Sequence, residues 1–356
     1  MMKALTLIIS ISLAFTLQAF SQQYDPSLIP YRKGNLWGFA NPDKSIAIKP
    51  TFDETNWFVE GFAVVKKGKK YGYISKTGKL VIPCKFYSAK PFSYGYFDDK
   101  GKHTVGGKLV KNKDTVLFAG ASLQPGGSEV CIDTRGLVMS KCPAINESRG
   151  GNEELISVTS QKEYSLGTTS NVYDKIIDDY KLPGDEGTYY IATKNNKYGL
   201  INNTFTVLLA FEYDSIKKID VGGTTSLLVA KNNMHGVCSG NGSIVVPVEN
   251  TKLLYAKTND GVVYFIKVKD GAAQLKDAGQ QDVITGSYTD IEYETNRGFI
   301  LTAADNSKGY YFLNKKLLLP QYSEVRSVKN GDFLRVKTKT GKDGYVSAEG
   351  VAFFEE

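Results

Sequence analysis

The chain has 356 residues, enough for two ordinary domains or one array of repeats, and 42% of them are hydrophobic. Its 44 basic and 37 acidic residues nearly balance, and the lysines behind the formal net charge of +7 are scattered among carboxylates. Because nucleic-acid binding requires a concentrated basic face, this balance argues against a nucleic-acid partner. The 35 glycines and 22 tyrosines favour many short strands joined by tight turns.

The first 21 residues differ in kind from the rest of the chain. Lys3 supplies a positive charge, an apolar run extends from Ala4 to Leu17, and small side chains at Ala19 and Ser21 suit signal-peptidase cleavage. The apolar run is too short for a comfortable membrane span. We therefore predict a signal peptide over residues 1–21 and a mature chain that begins near Gln22, without a transmembrane anchor. Its location would be the periplasm, the outer surface or the medium.

Four cysteines suit an exported chain. Cys131 and Cys142 are close in sequence, which makes them candidates for a disulfide across a local loop. Cys84 and Cys238 lie in apolar strand contexts, where a free buried cysteine is expected. No pair has C-x-x-C spacing, so neither a zinc knuckle nor a redox pair is indicated.

An aromatic residue followed by glycine recurs along the chain. Trp37-Gly38 and Tyr71-Gly72 are separated by thirty-four residues. Worn copies are predicted near Gly106 and Ala272. The later copies with glycine are Tyr198-Gly199, His235-Gly236, Lys308-Gly309 and Asp343-Gly344.

Other landmarks keep step with this glycine. Proline follows it by eleven residues at Pro83, Pro247 and Pro320, and by twelve at Pro50. An aromatic residue with a nearby acid closes each unit. The closing signatures are Phe52-Asp53, Tyr173-Asp174, Tyr213-Asp214, Tyr288-Thr289-Asp290 and Tyr322-Ser323-Glu324. Several landmarks in one register indicate a tandem repeat.

Each unit has the pattern of a small antiparallel sheet. In the second unit, strands are predicted over Phe62–Val65, Tyr71–Ser75 and Leu80–Ile82, with a turn at Gly78. Pro83 is expected to end the third strand, and a fourth short strand is predicted near the closing signature. A sheet of this size cannot bury both faces alone, so the copies must pack on one another.

These residues resemble the WG-repeat family of bacterial proteins, whose pattern combines a turn with Gly-Lys, an apolar strand with Ile-Pro, and an aromatic-Gly pair. Gly78-Lys79, Val81-Ile82-Pro83 and Phe86 match that pattern, and Trp is kept only at Trp37. The resemblance implies an all-β scaffold of tandem β-meander repeats of about 35 residues over residues 22–356. It carries over no catalytic residues, because the family motif is structural.

About eight or nine units are predicted, with an irregular stretch around residues 118–170. A propeller-like ring is slightly preferred over an open solenoid or superhelix. Tyr24–Ile29 resembles a closing signature, and a ring would use this N-terminal segment to complete the sheet of the last repeat.

Residues suited to catalysis are few. The two histidines are explained without chemistry: His235 occupies the aromatic slot of a repeat, and His103 lies in a predicted turn. No phosphate-binding, dinucleotide or calcium motif is present, so no catalytic residue, metal or cofactor is predicted. The acidic pairs Asp178-Asp179 and Asp185-Glu186 leave open a carbohydrate-active hydrolase that uses two carboxylates.

The sequence thus favours a non-enzymatic scaffold of the cell envelope that binds another protein or an envelope polysaccharide. The irregular middle is the predicted binding loop, because insertions in repeat arrays usually project from the scaffold. The weak candidate binding residues are Asn146, Glu147, Arg149 and Glu153. A set of aromatic residues is assigned to packing, with a sugar-binding platform as the alternative. The set is Trp57, Tyr94, Tyr96, Tyr189 and Tyr190.

Overall fold

The computed structural model describes residues 25–97, 115–145, 173–328 and 332–355, together with strand residues 104–105 and 108–109. Every helix or strand assigned in these ranges is a β-strand. The described residues fall into two compact units, one up to residue 145 with residues 353–355, and one over residues 173–352. The predicted signal peptide lies outside the described residues.

The first unit contains the strands that precede the irregular middle. They are β1 (Ile29–Lys33), β2 (Leu36–Ala40), β3 (Ile46–Phe52), β4 (Glu54–Thr55), β5 (Phe62–Lys67), β6 (Lys70–Ser75), β7 (Leu80–Phe86), β8 (Ser88–Ala89), β9 (Ser93–Gly95), β10 (Thr104–Val105), β11 (Lys108–Leu109), β12 (Val116–Ser122) and β13 (Glu129–Ile132).

The second unit contains the remaining strands except the last. They are β14 (Lys175–Lys181), β15 (Thr188–Lys194), β16 (Lys197–Asn202), β17 (Val207–Tyr213), β18 (Ser215–Val221), β19 (Thr224–Lys231), β20 (Met234–Ser239), β21 (Ile244–Asn250), β22 (Lys252–Lys257), β23 (Val263–Lys269), β24 (Ala272–Asp277), β25 (Asp290–Glu294), β26 (Gly298–Thr302), β27 (Lys308–Phe312), β28 (Leu317–Tyr322), β29 (Glu324–Ser327), β30 (Phe333–Lys337) and β31 (Asp343–Ser347). The last strand, β32 (Phe354–Glu355), belongs to the first unit.

The strands form eight sheets that follow the chain, apart from the hairpin β10–β11. Sheet 1 is β32-β1-β2-β3, sheet 2 is β4 to β7, and sheet 3 is built from β8, β9, β12 and β13. Sheets 4 and 5 are β14 to β17 and β18 to β21, sheet 6 is β22 to β24, sheet 7 is β25 to β28, and sheet 8 is β29 to β31. The predicted fold class, all-β with tandem antiparallel meanders, is confirmed. The choice between a ring and an open array stays a prediction.

In five of the repeats, the glycine of the repeat pattern lies where the third strand of a sheet meets the fourth. In sheet 2, Tyr71 pairs with Phe86, whereas Tyr73 pairs with Ile82. The fourth strand is therefore bulged opposite Gly72, where a Cβ would lie 2.5 Å from the carbonyl oxygen of Ile82. Glycine is needed because its lack of a side chain admits the neighbouring backbone. The same approach within 3 Å occurs at Gly38, Gly199, Gly236 and Gly309.

The fourth strand is longer than the sequence predicts. Pro83 was expected to end the strand, but β7 continues through it to Phe86. The proline is tolerated because it falls in the bulged stretch between two ladder pairs, at the edge of the sheet, where no ladder donor is required.

The acid of the closing signature caps a turn in the next sheet. The Asp53 carboxylate accepts the backbone N–H of Gly68, at 2.6 Å, in the turn between β5 and β6. Asp214 accepts the backbone N–H of Asn232, at 2.7 Å, in the turn between β19 and β20. Both turn residues have positive φ, and their N–H groups bond to these carboxylates. The signature is therefore structural.

Neighbouring sheets pack face to face, as the repeat predicts. Between sheets 2 and 3, Tyr73, Ile82 and Phe86 contact Ala121 and Ile132 in one buried cluster. In the second unit, comparable clusters join sheets 4 and 5, sheets 5 and 6, and sheets 6 and 7. Burial of both faces of a meander therefore depends on its neighbours.

Gly106, where a third copy was predicted, lies outside the described residues. The strands on either side of that position, β10 and β11, pair with each other as a separate hairpin. The third strand of sheet 3 is β13, where Val130 stands in the slot that glycine fills elsewhere. Ile132 bridges Val138 as Ile74 pairs with Leu80 in sheet 2. The inserted hairpin between β9 and β12 displaces the copy along the chain.

The worn copy near Ala272 is confirmed as β24. Ala273 occupies the glycine slot, and it lies opposite Val268 as Gly72 lies opposite Val65. Within the described residues, sheet 6 has no regular fourth strand. Ala273 makes an isolated bridge to Tyr288 in place of a regular fourth strand.

The C-terminal strand completes the first sheet, whereas the prediction had the N-terminal segment completing the last sheet. The segment from Tyr24 was expected to complete the last sheet, whereas β32 completes sheet 1 by pairing in parallel with β1. Asp25 caps no turn in sheet 1; its carboxylate accepts the N–H of Ser27 and contacts the ammonium of Lys76. Backbone pairing beside β1 is therefore supplied by the C-terminal residues.

Candidate functional site

The first unit contains an open groove of about 240 Å³ between the first strands of sheets 2 and 3. Strand β4 contributes to one wall and β8 to the other. The volume lies below the range of roughly 300–1,000 Å³ that holds drug-sized ligands, so the groove suits a single ring-sized group. Its lining residues are Glu54, Thr55, Asn56, Val64, Lys66, Tyr71, Ser88 and Ala89.

A three-residue polar network shapes one side of the groove. The Glu54 carboxylate accepts a hydrogen bond from the Lys66 ammonium and another, at 3.2 Å, from the Tyr71 hydroxyl. The Lys66 ammonium also lies 5.3 Å from the centroid of the Tyr71 ring. The hydrogen bond to Glu54 raises the pKa of Lys66 above its ordinary value. The network is therefore charge-balanced and holds the Tyr71 ring in place.

The other lining groups differ in polarity from floor to rim. Val64 is buried and Ala89 half-buried, which makes the floor apolar. Asn56 and Ser88 are exposed on opposite walls, and the Glu54 side chain keeps 54% of its surface open to solvent. The groove therefore offers an amide, a hydroxyl and a carboxylate to a ligand seated on a small apolar floor.

The hairpin tip beside the groove carries the run Lys66–Lys70. Gly68 adopts a φ of 62° at the turn, so this run forms a hairpin tip between β5 and β6. The Lys70 ammonium lies 3.0 Å from the centroid of the Tyr87 ring. Lys67 and Lys69 are exposed. Such lysines discourage edge pairing by another strand.

In the second unit, ion pairs join the first strands of successive sheets. Lys218 contacts Asp178 at 2.8 Å, and Lys252 contacts Asp290 at 2.9 Å. Lys218 also donates to the backbone carbonyl of Asp179, at 3.1 Å. Lys218 of the next sheet therefore contacts the Asp178 carboxylate and the backbone of Asp179.

In the second acidic pair, Asp185-Glu186, Asp185 has a structural role. Asp185 accepts the backbone N–H of Gly187, at 2.7 Å, and the hydroxyl of Tyr189. The Tyr189 hydrogen bond lowers the pKa of the Asp185 carboxyl. The Tyr180 and Tyr189 rings stack at 5.6 Å. This arrangement keeps Asp185 ionised and fixes the turn before β15.

Several predicted residues lie outside the described part of the chain. Asn146, Glu147, Arg149, Glu153 and His103 are among them, so the binding role of the irregular middle stays a prediction. His235 lies on β20, where its backbone carbonyl accepts the side-chain amide of Asn250 at 3.1 Å. In the described ranges, no three His, Cys, Asp or Glu side chains are grouped to hold a metal ion.

The cysteines divide into one bonded pair and two thiols. Cys131 and Cys142 form a disulfide, which ties β13 to the chain eleven residues further on. Cys84 is half-buried and Cys238 is buried, and both are free. Burial raises the pKa of Cys238 to about 11, so its thiol stays protonated near neutral pH.

The aromatic residues weighed as a platform are largely packing residues. Trp57 and Tyr189 are buried, with 4% and 9% of their surfaces exposed. Tyr94, Tyr96 and Tyr190 are half-buried. The aromatic side chain of the groove is instead Tyr71, which the repeat pattern marked only as the aromatic half of a Tyr-Gly pair.

Sequence reasoning missed the groove because its walls come from two repeats. Glu54 and Ser88 are thirty-four residues apart, one repeat period, and each directly follows a closing segment: Phe52-Asp53 in one case, Phe86-Tyr87 in the other. The sequence therefore showed that Glu54 and Ser88 occupy equivalent positions in two repeats. It did not show that β4 and β8 face each other.

None of the described segments forms a helix with the length and hydrophobicity that a membrane crossing requires. No curated protein matches the chain. Among solved structures, the chain is similar to the dihydro-heme d1 dehydrogenase NirN at 11% identity and a TM-score of 0.31, covering 93% of this chain and 73% of that one. It is also similar to PorZ, a bacterial surface component of the type-IX secretion system of Porphyromonas gingivalis, at 12% identity and 0.26, covering 85% and 37%.

A third structure, the WD40 β-propeller domain of Doa1, gives 12% identity and a TM-score of 0.22, with 91% of this chain and 93% of that one covered. At these TM-scores the likenesses carry no inference about function. The family model described as the WG containing repeat matches residues 37–71, 71–98 and 198–224. These segments hold the aromatic–glycine pairs at Trp37, Tyr71 and Tyr198 and the bulged fourth strands that follow them, so the chain carries WG-type repeats in these segments.

Proposed function

We propose that this protein is an exported, non-enzymatic scaffold of the cell envelope that binds a hydroxyl-rich glycan in the groove between β4 and β8. The observation that carries the proposal is the composition of that groove. An exposed amide, hydroxyl and carboxylate surround a small apolar floor beside the Tyr71 ring.

A sugar ring presents vicinal hydroxyl groups around a less polar face. The Glu54 carboxylate accepts hydrogen bonds, the Asn56 amide both donates and accepts them, and Ser88 adds a third partner from the opposite wall. Because Glu54 and Lys66 balance in charge, the groove favours a neutral ligand over an ionic one. A partner protein would be expected to need a larger contact surface than this groove offers.

The non-enzymatic part of the proposal is supported by the carboxyl groups. A glycoside hydrolase needs a carboxylic acid with a raised pKa and a second carboxylate facing it. Glu54 is the one carboxylate that lines the groove, and Lys66 pairs with it. Elsewhere, hydrogen bonds lower the pKa values of Asp214, Asp220 and Glu324, which is the wrong direction for a general acid.

The test measures binding of mature protein to an array of defined neutral oligosaccharides, followed by calorimetric titration of those retained. Glu54→Gln and the pair Asn56→Ala with Ser88→Ala should weaken binding at least tenfold, because each removes hydrogen bonds to the ligand. Glu324→Gln is the matched control, since Glu324 contacts Lys337 in sheet 8 as Glu54 contacts Lys66.

Equal binding by all variants, or capture of a protein with no glycan retained, would overturn the groove assignment. Release of new reducing ends from a retained oligosaccharide would overturn the non-enzymatic part. Export is tested separately by N-terminal sequencing of protein from the native envelope. A mature chain that begins near Gln22 supports it, and an intact Met1 on cytoplasmic protein contradicts it.

A further inference from the structure

One edge strand of the second unit lacks the protection that its counterparts share. The fourth strands β3, β7, β21 and β28 each lie at the edge of a sheet and each contains a proline. In β17 the equivalent residue, eleven after Gly199, is Ala210. Proline blocks the addition of another strand because it has no N–H to donate.

Alanine in place of proline at position 210 leaves a backbone N–H in the edge strand. Ala210 is exposed and falls in the bulged stretch of β17 between its ladder pairs Leu200–Leu209 and Tyr198–Tyr213. Proline occupies this slot in β7 and β21 and the next residue in β3 and β28, in each case without loss of the sheet, so the N–H at position 210 is not required by the fold. Within the described residues, β17 pairs with β16 alone. Its outer edge therefore offers an unprotected backbone donor.

The side chains around this edge are apolar and uncharged. Val207 is 49% exposed, and Phe205, in the preceding turn, is 46% exposed. No charge occurs from Val207 through Phe211, whereas β3 carries Lys49 and β7 carries Lys85. A short segment of high β-propensity, low charge and no proline is the pattern that pairs with other strands.

We propose that β17 pairs antiparallel with β17 of a second copy of this chain, forming a two-fold dimer. A strand paired with itself in this sense is self-complementary and closes at two copies. Centred on Leu209, the register places Val207 opposite Phe211 of the second copy, an aromatic–β-branched pair.

The same register avoids a clash of charges. Glu212 of one copy lies opposite Thr206 of the other, so a carboxylate meets a hydroxyl donor and not a second carboxylate. Glu212 already contacts Lys231 at 2.8 Å, which balances its charge. This complementarity favours a second copy over a partner strand that carries acidic residues.

Sedimentation equilibrium of the mature protein, over about 1 to 200 µM, tests the proposal. The wild type should show a monomer–dimer equilibrium. Ala210→Pro restores the missing proline and Val207→Lys places a charge on the edge, and each should weaken the dimer at least tenfold. The matched control is Ile244→Lys, at the same exposed position of β21, which should leave the dimer intact.

Thermal unfolding of each variant establishes that it is folded. If Ala210→Pro does not fold, Val207→Lys carries the test, because that side chain is exposed. A wild-type protein that remains monomeric throughout the range, or a dimer that persists in both edge variants, would overturn the proposal.

Discussion

The hydroxyl of Tyr31 donates a hydrogen bond to the carboxylate of Glu355, which lies 324 residues further along the chain. The Lys33 ammonium contacts the same carboxylate at 3.1 Å. Between them, the buried guanidinium of Arg32 donates to the carbonyl of Glu355 and lies 5.4 Å from the Phe354 ring. Three consecutive residues of β1 thus hold the C-terminal strand.

We expect Arg32→Met to destabilise the protein by about 2 kcal/mol, because hydrogen bonds to a charged group contribute roughly 1.5–3 kcal/mol. The loss should appear as faster amide exchange in Ile29–Lys33, beside which β32 lies. Lys33→Ala is the control, since the Lys33 side chain is 67% exposed and its loss should change stability little. Unchanged exchange in Arg32→Met would mean that β32 does not depend on this residue.

Stability should depend on pH through Glu355. The Tyr31 hydrogen bond, and then Lys33, lower the pKa of this carboxyl below its ordinary 4.5 in the folded state. Its contribution is therefore present above pH 4.5 and is lost as the pH falls through the folded-state pKa. Denaturant unfolding from pH 7 to pH 3 should show the wild type approaching Glu355→Gln in stability. A constant difference between the two proteins would contradict this linkage.

At alkaline pH, stability should depend on the same contact through Tyr31 and should fall as the pH rises. Burial, and then the hydrogen bond to Glu355, raise the pKa of Tyr31 to about 12 from its ordinary 10. The contribution of Tyr31 is fully present below pH 10 and is lost as the pH rises toward 12. Tyrosinate absorbance in the wild type minus that in Tyr31→Phe reports this titration. An ordinary pKa near 10 in that difference would count against the contact.

Gly72→Ala should cost about 3 kcal/mol, the upper end for overpacking, because the added Cβ meets the Ile82 carbonyl at 2.5 Å. Gly68→Ala is the matched control. Gly68 has a φ of 62° but no heavy atom within 4 Å of a Cβ, so only backbone strain of about 1–2 kcal/mol is expected. Chemical denaturation measures both, and equal losses would show that close approach is not what selects glycine at position 72.

Removal of the Cys131–Cys142 disulfide should destabilise sheet 3 by about 3 kcal/mol, the chain-entropy value for a loop of this length. The variant replaces both cysteines by serine, and exchange in β12 and β13 reports the local effect. Cys84→Ser is the control, since Cys84 is a half-buried free thiol. A loss spread equally over sheets 1 and 2 would argue against a local role for the bond.

The strands and turns follow closely from local sequence. Residues equivalent to Gly72, Pro83 and Asp53 recur in register because each has a local structural role. Gly72 allows close approach of the next strand, Pro83 lies at an edge where no ladder donor is needed, and Asp53 accepts a hydrogen bond from a turn. Their spacing was therefore enough to predict the meander and its packing on the next copy.

The misplacement of the third copy at Gly106 shows the limit of spacing. The paired strands β10 and β11 lie on either side of the expected position, while the third strand of sheet 3 carries Val130. Spacing cannot separate an insertion from a worn repeat, because both break the register of the landmarks. Pairing partners distinguish them.

The local sequence was sufficient to predict the strands and their order, because each turn, cap and bulge involves residues within one or two repeats. It did not reveal that β32 pairs with β1, or that Glu54 and Ser88 face each other across a groove. Backbone donors and acceptors are the same in every strand, so an edge can accept many partners on hydrogen bonding alone. The choice among them depends on which side chains arrive together in space, as Tyr31 and Glu355 do.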